Sequence, residues 1–314
     1  MNQLPERDLP PGRHRLLKEH LMTEIRRTDE TSAPARPRPG WLRPVLVAAA
    51  VAAVAAVTIT VLPSDEDTFV PPAATPSPGV TRLLENAALA AEHQKAPEVR
   101  DDQFTYVRSK VAWGISEHTC KPATAGPLQT REVWKSVDGE SEGRVRDTGI
   151  GEPLPIEPDS DSNRTYRKLE KLPTDTDEML AWLYKNKEGE GHSAASLAFD
   201  LAVETAGETI LPPKVSAALY RAVAKIPGVV LVKDSVDAVG RHGTAVGFVD
   251  DGSSRQELIF DRKSMILLGS RDVVLKDSPT NPGEVCDGII KAGSVQGTSA
   301  VLQRAFVDKV GERP

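Results

Sequence analysis

Residues 45–62 form an unbroken run of 18 residues without a charge, in which Thr58 and Thr60 are the only polar members. As a helix it is about 27 Å long at 1.5 Å per residue, close to the roughly 30 Å hydrocarbon thickness of a bilayer. No polar face interrupts it, which argues against a core helix of a water-soluble fold. A cleaved secretory leader is the rival reading. Leaders carry a shorter apolar stretch after a short start, whereas 44 residues precede this one, and its small-residue steps lie inside the run. The expectation is an uncleaved single-pass transmembrane helix over residues 41–62, with Trp41 at the interface.

The flanks orient it. Arg36, Arg38 and Arg43 precede the run, and Asp65, Glu66 and Asp67 follow it. The positive-inside rule therefore puts the N-terminus in the cytoplasm and the C-terminal part outside the cell membrane. Residues 1–43 carry nine Lys/Arg against six Asp/Glu, so the acidic excess of the chain falls beyond the span, where 39 acidic residues face 30 basic ones. An acidic outer domain excludes nucleic acid as its partner, because phosphate binding needs a basic surface. Ala48, Ala52 and Ala56 form a small-xxx-small stripe on which two such helices could dimerise, although an Ala-rich span produces this spacing by chance.

The cytoplasmic tail, residues 1–40, contains one amphipathic pattern. Leu17, Leu21 and Ile25 recur every four residues with Leu16 beside them, opposite Arg13, Arg15, Lys18, Arg26 and Arg27. A helix this short is marginal alone in water and needs a surface to fold on. A protein groove and the anionic inner leaflet both fit residues 13–27, and so does a solvated tail that only fixes topology. No cysteine lies here, so a His-x3-Cys-x2-Cys zinc module of the anti-sigma type is absent from the tail.

Residues 63–79 are a Pro-rich stalk, and residues 80–314 form the outer domain. Helices are predicted at 81–94, 176–187, 193–205 and 213–226. Strands are predicted at 103–113, 128–137, 229–233, 244–249, 256–260, 265–268, 273–276 and 300–307. The prolines at 153, 155 and 158 mark a loop. Strands, then helices, then strands again describe one α+β domain with an antiparallel sheet. Aromatics are only 4% of the chain, so its core must rest on many modest burials.

Cys120 and Cys286 are the only cysteines, both outside the membrane in this topology, where a disulfide is favoured over two buried thiols. Other chemistry is thin. The six histidines show no close metal spacing, and His118 beside Cys120 is a poor zinc pair. Asp159, Asp161, Asn163 and Glu170 imitate a calcium loop, but Arg164 stands where its turn needs glycine. His242 reads as a surface turn residue. No nucleophile elbow or nucleotide fingerprint occurs, so the expectation is a protein without catalytic, metal or cofactor residues.

Several segments resemble an uncharacterised actinobacterial family of single-pass membrane proteins often encoded beside sigma factors. They are Leu-Pro-Pro-Gly-Arg-His at 9–14, Leu-Lys-Glu-His-Leu-Met at 17–22, Leu-Pro-Thr-Asp at 172–175 and the stretch 217–261. That stretch contains Ala-Ala-Leu-Tyr-Arg-Ala-Val-Ala-Lys-Ile-Pro-Gly-Val at 217–229, Asp-Ala-Val-Gly-Arg-His-Gly at 237–243 and Glu-Leu-Ile-Phe-Asp at 257–261. The resemblance implies a sigma factor or another cytoplasmic protein as partner of residues 13–27. More distantly, strands wrapped around helices are similar to the half-barrel of lipoprotein carriers and sigma regulators. That topology implies either an anti-sigma-like envelope regulator or a carrier holding lipid or lipoprotein on the outer domain.

Overall fold

The computed structural model describes residues 77–114, 125–149, 151–158, 164–187, 189, 192–250, 252–279 and 289–314. The expected membrane span, the amphipathic tail and both cysteines lie outside these residues. Among the described residues no helix is long and apolar enough to cross a membrane.

The described domain is α+β, as the order of elements implied. It opens with α1 (Pro78–Glu92), which starts on a proline whose missing N–H is no loss in a first turn. Val80, Leu83, Leu84, Ala87, Ala88 and Ala91 recur at three- and four-residue spacing and are all buried. Four strands follow: β1 (Phe104–Ala112), β2 (Gln129–Ser136), β3 (Gly143–Asp147) and β4 (Leu154–Ile156). The turn after β2 uses Gly139 at φ 93°, a conformation that glycine adopts without strain. β4 corrects the reading of 153–158 as loop. Pro155 is tolerated there because β4 is an edge strand with no ladder to donate to on its open side.

Four helices come next: α2 (Tyr166–Leu169), α3 (Thr176–Lys185), α4 (Ala194–Gly207) and α5 (Pro213–Ala224). Asp175 caps α3 by accepting from the Asp177 and Glu178 amides at 2.8 and 3.1 Å. Ser193 caps α4 from the Ser196 amide at 3.1 Å. α4 is buried on most sides, from Leu197, Ala198 and Phe199 to Ala206, because it packs against both neighbouring helices and the sheet. α5 ends before Gly228, whose φ of 93° breaks the chain away into the next strand.

The remaining strands are β5 (Val229–Val236), β6 (His242–Asp250), β7 (Ser254–Phe260), β8 (Leu267–Val274), β9 (Ser278–Pro279), β10 (Ile289–Ile290) and β11 (Val295–Val307). β8 joins two stretches expected as separate strands. Nine strands make one open antiparallel sheet in the order β4-β3-β2-β1-β11-β8-β7-β6-β5, with β9 and β10 pairing apart. The pairing of β1 with β11, Phe104 opposite Val307, joins the two ends of the domain. This gives one sheet across which the helical layer can lie.

Alternation along the strands sorts the two faces. Val246, Phe248, Leu258, Phe260 and Leu267 face the helices and share one core with Leu84, Met179, Phe199, Leu219 and Val223. Tyr220 meets Phe260 edge-on at 5.2 Å, and Phe199 lies 5.9 Å from Phe248. The few aromatics are concentrated where they fill most, because Trp134, Tyr106, Phe199 and Phe260 are among the largest fully buried side chains. Ala198, Ala202, Ala217, Ala218 and Ala222 supply the small surfaces of the packed helices.

The opposite face has smaller clusters. Tyr106, Trp134, Phe104 and Val307 form one, covered partly by Val310 of the C-terminal segment. Val232, Ala245, Ile259 and Leu268 form another. The turn between β5 and β6 bends over this second cluster. Ala238 N donates to Ser299 O of β11, and Arg241 Nη2 donates to Leu268 O and Val301 O at 3.0 and 2.9 Å.

Candidate functional site

A cleft of about 350 Å³ opens where the end of α1, the α4–α5 connection, the β7–β8 turn and β11 meet. Its walls are mixed: Ala87, Ala91, Ile210, Leu211, Met265 and Leu267 supply apolar surface, and polar groups supply about as much. Ile266 stands at it half exposed. Met265 has φ 57°, the one positive φ at a non-glycine position among the described residues. That left-handed residue costs on the order of 1 kcal/mol. Asp261 holds the turn by accepting from Lys263 N, Ser264 N and Ser264 Oγ at 2.7–3.0 Å.

Arg304 is the less exposed of two charged groups on the cleft wall, the other being Lys95. β11 carries it on the helix-covered face, where its Nε donates to Thr209 O at 3.0 Å and its Nη2 to Ala206 O and Gly207 O at 2.6 and 3.3 Å. These carbonyls lie at the end of α4, whose dipole places partial negative charge there. No carboxylate pairs with Arg304 among the described residues, and its Nη1 has no protein partner there. Loss of solvation lowers its pKa from the ordinary guanidinium value, offset by nearby Tyr220. Lys95, Thr209, Ser216 and Tyr220 also line the cleft.

The other prominent charges are tied up in pairs. Glu257 is fully buried on the opposite face, accepting from Arg255 Nε at 2.8 Å, Arg271 Nη2 at 3.1 Å and Ser235 Oγ at 2.5 Å. Arg221 of α5 bridges Glu85 and Glu92 of α1 at 2.8 and 2.6 Å, which holds both carboxyls below the usual range and pins one helix to the other. Glu132 accepts from Arg313 and from the Tyr106 hydroxyl; burial, then this bond, pushes the phenol up to about 12. Asp272 contrasts with these. It lies on the helix-covered face, and burial, then Asp200 and Glu257, raise it to about 6.

The residues singled out in the sequence fare unevenly. Leu16, Leu17, Leu21, Ile25, Ala48, Ala52, Ala56, Cys120 and Cys286 all lie outside the described residues, as do His118, Asp159, Asp161 and Asn163. Glu170 accepts from Arg167 Nη1 at 2.7 Å, a structural pair. His242 is exposed and lies 3.0 Å from Asp234, which also pairs with Arg262. Arg304 was not anticipated. Its one signal is a cation inside the apolar strand Ala-Val-Leu-Gln-Arg-Ala-Phe-Val at 300–307.

No family model matches the chain, and no curated protein matches it. Solved structures give distant likenesses. The crystal structure of MucB is 13% identical with a TM-score of 0.29, covering 76% of this chain and 61% of that one. The MucA/MucB complex of Pseudomonas aeruginosa is 12% identical with a TM-score of 0.26, covering 75% of this chain and 58% of that one. The LolA superfamily protein NE2245 from Nitrosomonas europaea is 9% identical with a TM-score of 0.18, covering 76% of this chain and 96% of that one. The chain thus spans about six tenths of the MucB chains it matches. Likenesses of this depth carry no argument about function.

Proposed function

We propose that the chain is a single-pass cell-membrane protein that acts by binding rather than by catalysis, with an extracytoplasmic recognition domain and a cytoplasmic tail that engages a regulatory protein. One structural observation carries the binding role: the helical layer fills its side of the sheet and leaves a cleft of about 350 Å³ with a carbonyl-capped arginine on its wall. That volume sits at the small end of ligand sites. A carrier of lipid or lipoprotein is the second reading. It has less support, because the face that would enclose the cargo is occupied by Phe199, Tyr220, Phe248 and Phe260.

The tail's partner is a sigma factor in this reading, with Leu16, Leu17, Leu21 and Ile25 folding onto it as an amphipathic helix. The resemblance of 9–22 and 217–261 to a family encoded beside sigma factors supports that choice. Cys120 and Cys286 form a disulfide in the same reading. Described residues on the C-terminal side of each cysteine come together near the start of β11, where Ala125 N donates to Val295 O at 2.8 Å and Gly293 N to Val274 O at 2.8 Å.

Affinity capture by residues 1–43 is the test. A sigma factor is expected in the eluate, lost from L17E/L21E, with a matching change in transcription in cells carrying that variant. Capture of no sigma factor, together with unchanged transcription, rejects the regulatory part. A phosphatase fused after Pro314 is active only if the domain is outside the membrane, so an inactive fusion rejects the topology.

A further inference from the structure

We propose that the cleft beside Arg304 is a binding site for a single-chain anionic amphiphile, a carboxylate on an unbranched apolar tail of about ten carbons. The head is read by Arg304. Its Nε and Nη2 are spent on the carbonyls at the end of α4, which fixes the guanidinium plane. Its Nη1 has no protein partner among the described residues, and no carboxylate neutralises it. Arginine is the residue suited to a carboxylate, because its planar donors match that geometry. Tyr220 lines the same cleft, and its hydroxyl also has no protein partner among the described residues.

The tail is set by the walls and by the volume. Ile210, Leu211, Met265 and Leu267 offer an apolar lining. A volume of about 350 Å³ equals roughly a dozen waters at liquid density, and a ten-carbon carboxylate has about a dozen non-hydrogen atoms. A diacyl lipid is several times larger. A dianionic head such as a phosphate ester would need Lys95 as its second cation, and that ammonium is exposed to water; the one sheltered cation, Arg304, matches a monoanion. The inference rests on the domain being a binding module. It is independent of the tail, so its failure leaves capture of a sigma factor untouched.

The test uses the full chain in nanodiscs, titrated with decanoate labelled with 13C at the carboxyl carbon, with empty nanodiscs subtracted. A saturable bound signal at one site per chain is expected, and decanol should bind at least about tenfold more weakly, the usual worth of a charge-assisted hydrogen bond. Two variants leave Arg304 in place. Ser216→Trp fills the cleft from α5 and should abolish the bound signal. Ile266→Asp puts a negative charge at an exposed cleft residue and should weaken decanoate about tenfold while leaving decanol unchanged. Equal affinity for decanol and decanoate overturns the proposal, as does a bound signal that survives Ser216→Trp. No saturable signal above empty nanodiscs overturns it as well.

Discussion

The two faces of the sheet solve burial differently. On the helix-covered face, Phe199, Phe248, Tyr220 and Phe260 interlock with small residues of α4 and α5, and stability comes from apolar area removed from water. Among the described residues the other face has no helical layer. There the chain covers short apolar clusters with its own turn and C-terminal segment, and buries carboxylates only where an arginine meets each one. Glu257 with Arg255 and Arg271, Asp237 with Arg241, and Glu132 with Arg313 are three such cases. Volume is the currency of the first face and charge neutralisation that of the second. The face built on volume has the cleft, at the junction of the α1 end, the α4–α5 connection, the β7–β8 turn and β11.

The largest expected effect breaks the packed face. Phe199 is fully buried, and Phe199→Ala should cost about 4 kcal/mol, transfer energy plus the cavity left behind. Denaturant unfolding followed by tryptophan fluorescence measures it. Because the loss is apolar, it should be nearly the same at pH 4 and pH 7; a strong pH dependence would mean that this side of the sheet also leans on charge.

Asp272 is the exception that sharpens the contrast, a carboxylate on the helix-covered face that feels the charges of Asp200 and Glu257 and has no arginine bonded to it among the described residues. Its folded pKa, about 6, lies above the ordinary 3.8. The acid form is therefore favoured by folding, and the chain loses stability as pH rises from about 4 to about 6. Asp272→Asn removes that loss. It should stabilise by about 2–3 kcal/mol at pH 7 and by little below pH 4. A gain of equal size at both pH values would assign the effect to packing.

Much of the first face was legible in the sequence because its signals are local. Pro213 at a helix start, the acidic Asp175 and Asp177 at the start of another, and the leucine and alanine spacing in α1 each act within one or two turns. The second face was less legible, for a physical reason. Asp272 and Arg271 interrupt the apolar pattern of β8, so that one strand read as two. What makes them strand residues is pairing with Gln256 and Glu257 of the neighbouring strand. Pro155 hid β4 in the same way, since only its place at the edge makes a proline harmless. The site depended most on distance in sequence. Arg304 meets Ala206 and Thr209 through 98 and 95 residues of separation, and no window along the chain contains both.

Arg313→Ala is the mildest test and bears on the second face alone. Its guanidinium bonds both oxygens of Glu132 at 2.6 Å, while Trp134 Nε1 donates to the neighbouring Glu312 carbonyl at 2.6 Å, so one short segment supplies both the counter-charge and the lid. Arg313 is about half exposed, with 53% of its side chain accessible, so solvent screening keeps the loss small beside that of Phe199→Ala. The Arg313 bond leads the causes that hold Glu132 below the ordinary 4.5. That stabilisation is full above 4.5 and is lost as pH falls through the lowered folded value. Wild type and variant should therefore differ at pH 7 and converge in acid below 4.5, a lower window than that of Asp272→Asn and the opposite sign. If the Arg313 effect persists in a Glu132→Gln background, the segment covers Tyr106 and Trp134 by contact alone, and charge neutralisation is not what holds this corner of the face.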